Sequence, residues 1–395
     1  TGFTGSRWVR AGYGEINAPI LDEVEINLSG RYDNYSSGQD SFSPRAGVKI
    51  TPIPQVAFRG SWSRGFRIPS FAEANGLPTT GYITVAAPPQ SFQDMHPGTN
   101  YSNSYSVGLT SIGTPDLEPE KSRNITIGAV VQPVSWLSAT VDYFNIKKTG
   151  VIAGADYSPA IAAYYANGGD CSSVGLVCVP GTPDVNNPNA MPILGRIEYP
   201  FQNLNGQKVS GIDMGLDARI PLTDGIRLIS SVEASYLIKL ETEFPDGSTQ
   251  RYDGTLGPYQ ITSASGSPKW RGSWQNTLDF GSARLTATAY YTSGYGAEAE
   301  DAAGERGVCP SGSSVAFYED GVTPVRCDVK STFNLDLTGS LDITDQATVY
   351  VNVLNLLDEE PAFDPNTYGG VNYNPAWGQS NILGRYFRVG IRTSF

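Results

Sequence analysis

The chain has 395 residues, of which 39% are hydrophobic and 17% are charged. Its net charge of −12, with no cluster of Lys and Arg, argues against a nucleic-acid partner, whose phosphates require such clusters. No stretch approaches 18 consecutive apolar residues, so the sequence contains no transmembrane helix. Many Tyr and Trp with few Met and Cys are more typical of aromatic girdles than of a packed helical core.

Alternating apolar and polar residues predict about thirteen β-strands, because a period of two places the two classes on opposite faces of a sheet. The clearest hairpin covers residues 124–143, where Ile127 and Val141 belong to apolar faces and Thr126 and Asp142 to polar faces. The strands are predicted at residues 7–18, 23–32, 42–51, 56–63, 124–131, 137–143, 212–220, 230–240, 270–280, 283–294, 333–341, 349–353 and 384–395.

The connections between these strands alternate between short turns and long segments. Turns of a few residues, such as 52–55 and 221–225, separate the members of each hairpin. The long segments are 65–120, 149–205, 241–268, 295–330 and 357–383. Strands of about ten residues are long enough to cross a bilayer, whereas strands of soluble sandwiches average ~5–6 residues. The pattern therefore predicts an all-β, antiparallel transmembrane β-barrel, with long loops at one end.

An odd number of strands does not close a typical bacterial single-chain barrel, which has an even number. A thirteen-stranded open sheet would leave two unpaired edges in lipid, where unsatisfied backbone groups are prohibitively costly. We therefore expect the chain to be the C-terminal part of a longer natural protein.

Four stretches, spread along the chain from residue 43 to residue 395, resemble the TonB-dependent outer-membrane receptors. They are SPRAGVKITPIPQVAFRGSWSRGFRIPSFAE (43–73), PDLEPEKSRNITIGAVVQPVSWLSATVDYFNIK (115–147), VYVNVLNLLDEEP (349–361) and GRYFRVGIRTSF (384–395). The last resembles the final strand of these receptors, whose terminal aromatic residue, here Phe395, is favoured by the barrel-assembly machinery.

The resemblance implies a barrel of 22 strands that surrounds an N-terminal plug domain, consistent with the plugged lumen of such transporters. Residues 1–395 would form the C-terminal part of the barrel domain, without the plug and without the motif that contacts TonB. The implied function is import across the bacterial outer membrane, energised by the TonB complex, with a ferric siderophore as the leading cargo. The family performs no covalent chemistry, so neither an enzymatic activity nor a cofactor is expected.

Several alternatives remain open at this stage. Receptors for haem, cobalamin and oligosaccharides share these barrel motifs, and the single histidine is a mild argument against haem. A passive, substrate-specific porin would need no plug. A soluble β-rich adhesin or carbohydrate-binding module would place the polar faces in water and pack the apolar faces together.

The four cysteines fall in pairs within two predicted loops, Cys171 with Cys178 and Cys309 with Cys327. Four cysteines allow three pairings. We predict a disulfide within each loop, because the outer surface of a bacterium is oxidising. A zinc site made of all four would require two loops to converge with unusual spacings.

Aromatic residues in the long loops are candidate ligand contacts, since Tyr and Trp make good binding surfaces. The alternative is that loops of this length use aromatic side chains to pack on one another. The candidates are Tyr82, Phe92, Tyr157, Tyr164, Tyr165, Phe317 and Tyr318.

Other polar residues carry weaker signals. His96 is the only histidine, and with no partner His or Cys nearby a metal or catalytic role is not expected. Glu298, Glu300 and Asp301 lie together in a loop without a hydrolase motif and are interpreted as solvated charge. Arginines on the predicted inner face, such as Arg59, are expected to pair with inward acids or to contact the plug.

Overall fold

A computed structural model describes residues 5–76, 78–244, 247–257, 266–296, 299, 328–364, 373–378 and 381–394. The strands in chain order are β1 (Val9–Leu21), β2 (Val24–Tyr35), β3 (Asp40–Ile53), β4 (Val56–Arg67), β5 (Thr79–Val85), β6 (Tyr105–Ile112), β7 (Glu120–Val134), β8 (Leu137–Gly154), β9 (Val177–Pro180), β10 (Leu194–Thr223), β11 (Ile226–Glu243), β12 (Thr249–Arg251), β13 (Trp270–Asp279), β14 (Ala283–Thr292), β15 (Tyr295–Gly296), β16 (Asp328–Val329), β17 (Thr332–Thr344), β18 (Ala347–Leu354) and β19 (Tyr386–Thr393). The helices are α1 (Phe71–Asn75), α2 (Gln90–Asp94), α3 (Ser158–Ala166) and α4 (Pro375–Gly378), with a 3₁₀ turn at Ser172–Val174. Within the described ranges, every helix is too short or too polar to cross a membrane.

Thirteen of these strands form one antiparallel wall in which each strand pairs with the next. The order is β1, β2, β3, β4, β7, β8, β10, β11, β13, β14, β17, β18 and β19. The sequence-based prediction of about thirteen antiparallel wall strands is confirmed. Within the described residues, β1 pairs only with β2, and β19 pairs only with β18.

The register places apolar and polar residues on opposite faces of this wall, because directly opposed residues of antiparallel strands share a face. On one side Val232 lies between Leu216 and Trp274 of the neighbouring strands. We call this the outer face, and its Ile127 is 61% exposed, which suits lipid and not water. On the opposite, inner face, the hydroxyl of Ser231 donates to Asp217 at 2.8 Å.

Short turns join the strands at the end of the wall opposite the long segments. Between β10 and β11 the turn contains Gly225, whose φ of +82° lies in the left-handed region. A residue without a Cβ adopts this conformation at no steric cost, which lets two long strands reverse direction within a few residues.

The structure differs from the sequence-based prediction in the long segments. β10 has 30 residues and begins 18 residues before the predicted start at position 212, and β8 continues to Gly154 instead of ending near 143. Residues 65–120 and 149–205, predicted as loops, contain β5, β6, β9, the first part of β10 and three helices. These elements pair with partners distant in sequence, so local alternation does not reveal them.

The two faces of β11 give a direct test of the assignment. Val232→Arg is expected to lower the free energy of unfolding by ~2–4 kcal/mol, because a cation near the bilayer midplane loses its hydration. Ser231→Arg, on the inner face beside Asp217, is expected to cost less. The measurement is urea unfolding of the protein refolded in phospholipid vesicles. Equal costs at the two neighbouring positions would contradict the assignment of faces.

Candidate functional site

The two longest segments fold together into a compact unit above the wall, which we call the loop module and define as residues 79–112 and 155–200. Its sheet pairs β5 with β6, β6 with the first part of β10, and β10 with β9. The β6–β10 pairing is parallel and runs from Arg196 opposite Gly108 to Pro200 opposite Ile112. The module therefore combines chain segments about 90 residues apart into one sheet.

A small hydrophobic core holds the loop module together. Val107, Leu194 and Ile197 are fully buried in its sheet, and α3 covers them with Ala160 and Tyr164. Burial of a Val, Leu or Ile side chain contributes ~1.5–3 kcal/mol, so these contacts stabilise the packing of α3 on the module sheet.

A disulfide between Cys171 and Cys178 fastens the end of the helical layer to β9, with Cα atoms 5.8 Å apart. Cys171 is buried in the module core, 1% exposed. The pairing is the local one predicted from the sequence. The second predicted pair, Cys309 and Cys327, lies outside the described residues.

The only histidine ties the two segments of the module to each other. His96 Nδ1 lies 3.0 Å from Asp184 Oδ2, and Nε2 donates to the carbonyl oxygen of Met191 at 2.9 Å. The ring is 2% exposed and packs against Phe92, with ring centres 4.4 Å apart. The described residues contain no group of three or more His, Cys, Asp or Glu side chains able to hold a metal ion. Through its two ring nitrogens His96 joins residues 79–112 of the module to residues 155–200.

The same contact stabilises the charged form of the acid. The hydrogen bond from His96, with further bonds from the Asn186 amide and the Asn187 side chain, lowers the pKa of Asp184 below its ordinary value. The acid sits in a segment without regular secondary structure, so these bonds fix the path of the chain there.

The predicted ligand-contact aromatics divide into two groups in the structure. Phe92 is 1% exposed and Tyr164 is fully buried, so the contact assignment is corrected for these two: they pack the module core.

Tyr165 is half-buried, and its hydroxyl accepts from the Leu194 amide at 3.3 Å. Tyr82 is 76% exposed, and Tyr157 is half-buried with its ring 6.1 Å from that of Tyr199. Tyr82, Tyr157 and Tyr165 stay predicted ligand contacts.

Burial keeps the module tyrosines neutral. It raises the pKa of Tyr164 to about 12, with a further contribution from the neighbouring Tyr165. Burial also raises the pKa of Tyr105, whose hydroxyl bonds to that of Tyr165. These phenols can donate and accept hydrogen bonds, but they supply no nucleophile near neutral pH.

Several sequence-based predictions concern residues that the structure does not describe. Phe317, Tyr318, the carboxylates Glu298, Glu300 and Asp301, and the terminal Phe395 all lie outside the described residues. Their proposed roles as ligand contacts, solvated charge and assembly signal stay predictions.

The inner face of the wall carries an ion pair that crosses a strand. Arg59 on β4 and Asp142 on β8 both lie opposite Gly128 of β7, and Arg59 Nε donates to Asp142 Oδ1 at 2.7 Å. A Cβ at position 128 would overlap the Asp142 carboxylate and lie 2.8 Å from the carbonyl oxygen of Val141. Glycine is thus required for the two charges to meet.

Around this pair the inner face forms a charged recess of about 580 Å³, with Glu25, Lys49 and Asp213 in its lining. Arg31 pairs with Asp33 at 2.8 Å and Arg284 lies 3.7 Å from Asp279, as expected for inner-face arginines. Side chains of both signs on this face can hold a polar domain or an aqueous path.

Sequence reasoning missed a second ion-pair group near the loop end of β4. Arg67 donates to Glu120 of β7 at 2.6 Å and to Glu73 of α1 at 2.8 Å, while Glu120 accepts from the Ile152 amide at 2.8 Å. Ser70 and Glu73 form a capping box that begins α1. The S-x-x-E pattern SFAE at residues 70–73 was the available sequence signal.

The ion pair across β7 predicts a position-specific effect of a single methyl group. Gly128→Ala is expected to destabilise the protein by ~1–3 kcal/mol in urea unfolding, because the new Cβ displaces Asp142. The cost should shrink in the Asp142→Ala background. Gly339→Ala on β17 is the control, since nothing lies within 4 Å of its added Cβ. The same cost at both glycines would contradict the role of the pair.

The lowered pKa of Asp184 predicts a pH dependence of the module. Its contribution to stability is complete above the ordinary Asp pKa of ~3.9 and is lost as pH falls through the lower folded value. Hydrogen exchange of the module amides should therefore accelerate as pH falls through this range, after correction for the intrinsic rate.

Asp184→Asn should remove this acid-dependent step. Asp156→Asn, in the same module but bonded only to the Ser158 amide, should retain it. An unchanged step in the Asp184 variant would show that other acids control module opening.

Comparison with protein families matched residues 2–356 to the model described as TonB dependent receptor-like, beta-barrel. Comparison with curated protein sequences found no match.

Similar solved structures include the siderophore receptor PirA from Acinetobacter baumannii, which is 15% identical, with a TM-score of 0.63 over 98% of this chain and 46% of that one. A mutant of the ferric enterobactin receptor PfeA from Pseudomonas aeruginosa is 16% identical, with a TM-score of 0.62 over 98% of this chain and 45% of the receptor. The outer membrane transporter YddB from Escherichia coli is 13% identical, with a TM-score of 0.57 over 98% and 45%.

The chain thus spans less than half the length of these solved receptors. At these identities the likeness establishes the fold, whereas the family match covers most of the sequence. Thirteen long antiparallel strands, an apolar outer face and the family match lead to one conclusion: the chain belongs to the β-barrel family of TonB-dependent receptors of the bacterial outer membrane.

Proposed function

We propose that the protein imports an iron–siderophore complex across the outer membrane with energy delivered by the TonB complex. Residues 1–395 would be the C-terminal part of its barrel domain, and the remaining strands of a 22-stranded barrel and the plug would precede them. The family match over residues 2–356 carries this proposal. The single neighbours of β1 and β19 within the described wall support it, because closure in lipid requires partners for both edges.

The cargo assignment draws on the structural neighbours. PirA is named a siderophore receptor, and PfeA a ferric enterobactin receptor whose structures include a complex with enterobactin. The loop module of this chain presents the exposed Tyr82 ring beside a disulfide-linked core, an arrangement that suits a small aromatic ligand. The ligand would be bound jointly by the module and the plug.

The remaining partners follow from the same proposal. TonB would act through the N-terminal region, and the barrel-assembly machinery would recognise the last strand with Phe395. The protein would transport its ligand unchanged and would act without a resident cofactor.

Uptake of ⁵⁵Fe-enterobactin tests the proposal in cells that lack their own catecholate receptors and express the full-length protein. Accumulation is expected in cells with TonB and a proton-motive force, and background uptake in cells without TonB. Equal uptake without TonB would indicate a passive porin. Uptake of cobalamin or an oligosaccharide, but of no siderophore in a panel, would reassign the cargo.

A variant pair locates the ligand within the same assay. Tyr82→Ala is expected to raise the half-saturating concentration several-fold, because an exposed aromatic surface is lost. Val185→Ala is the control, since that side chain is 91% exposed in the same module but is not aromatic. No difference between the two variants would remove Tyr82 from the binding surface.

A further inference from the structure

Four basic residues form a continuous row across four adjacent strands. Arg64 on β4 lies opposite Arg123 on β7, which lies opposite Lys147 on β8, which lies opposite Lys208 on β10. We call these four residues the basic row. Neighbouring strands are ~4.8 Å apart, so the row spans about 14 Å of the wall. At its far end Lys208 lies opposite Glu241 of β11.

The register places the basic row on the outer face of the wall. One step along the strands on the same face, Trp62 lies opposite Ile125, and the following step pairs Ile127 with Tyr143. Two residues of a strand span ~6.6 Å, so the row lies about 7 Å beyond Trp62, toward the long segments. Trp and Tyr mark the membrane–water boundary of such barrels. The row is thus level with the headgroups of the outer leaflet.

The charges of the row are compensated at one end only. Lys208 Nζ lies 3.2 Å from Glu243, and Lys147 Nζ lies 3.7 Å from the same residue. Arg64 and Arg123 are both exposed, and neither guanidinium has a carboxylate partner in the described part of the chain. Arg64 instead lies over the Trp62 ring, 5.5 Å from its centre.

An uncompensated arginine pair at directly opposed positions is unfavourable by itself. Like charges that face each other across two strands destabilise a sheet. Two neighbouring cations without a carboxylate partner among the described residues also stand out in a chain whose net charge is −12. An anion between the two guanidinium groups would remove the repulsion. Phosphate suits this position, because guanidinium binds it through two parallel hydrogen bonds.

We propose that Arg64 and Arg123 bind the phosphorylated headgroup of an anionic lipid in the outer leaflet, with Trp62 beneath them against the lipid carbon atoms. The lipid is favoured over a soluble anion because the pair lies at the boundary of the apolar face, where the headgroups are anchored and their local concentration is high. The site lies outside the barrel wall, so it is independent of the cargo.

The experiment measures lipid binding to the full-length protein extracted in a nonionic detergent, by native mass spectrometry. The probe is diphosphoryl lipid A, compared with lipid A from which both phosphates have been removed and with inorganic phosphate alone. Arg64→Gln/Arg123→Gln is expected to bind lipid A at least tenfold more weakly. The control is Arg45→Gln/Lys148→Gln, which removes the same charge from the inner face and should bind like the wild type.

Stability separates loss of the site from loss of the fold. Without lipid, the Arg64/Arg123 variant should be at least as stable as the wild type in thermal unfolding, because the repulsion has been removed. Added lipid A should then stabilise the wild type and not the variant. Equal lipid binding by the two proteins, equal loss in the inner-face control, or equal binding of dephosphorylated lipid or inorganic phosphate would overturn the proposal.

Discussion

In a bilayer core there is no water to bond with a backbone N–H or C=O, so every strand must be paired along its whole length inside the lipid. The wall of this protein meets that constraint for its inner strands, each of which pairs with a neighbour on both sides, and leaves β1 and β19 with one neighbour each among the described strands. Within the wall, irregular structure is then confined to the long-segment end, above the aromatic boundary. The separation of a regular wall from the irregular loop module follows from that single requirement.

The sequence contained enough information for the wall because its constraint is local. Alternation at neighbouring positions such as Ile127 and Gly128, or Val141 and Asp142, reflects which face each side chain occupies, and a turn follows within a few residues. The strand order and the short turns therefore followed from the sequence. The last part of β8 and the first part of β10 did not follow from the sequence. Above the lipid boundary these strands stay paired, but they lack the alternation of apolar and polar residues that lipid imposes.

The loop module depends on contacts between distant residues, and these leave no local pattern. Within the module His96 and Asp184 are 88 residues apart, and on the inner face of the wall the paired Arg59 and Asp142 are 83 apart. Phe92 and Tyr164 looked like exposed loop aromatics because their burial depends on a parallel pairing of β6 with β10. The four members of the basic row likewise have irregular spacing in the sequence, and only the register of four strands aligns them.

The same side chain has different consequences on the two faces. Arg59 on the inner face meets a carboxylate across a glycine and adds to a charged recess, whereas Arg64 on the outer face lies over an indole at the lipid boundary. The surroundings of each face therefore decide the role of an arginine. On the inner face, charges of both signs balance each other. On the outer face, the arginines lie where lipid phosphates can neutralise them.

β10 belongs to both parts of the molecule. Its first residues pair with β6 and β9 in the loop module, and from Phe201 onward it pairs with β8 in the wall. The strand passes from one sheet into the other without a break. Pro200 pairs with Ile112 of β6, and the next residue, Phe201, pairs with Gly154 of β8. A rotation of the module about this point would have to break backbone hydrogen bonds of the wall. The loop module is therefore joined to the membrane-spanning part by a continuous strand whose backbone hydrogen bonds run from one sheet into the other.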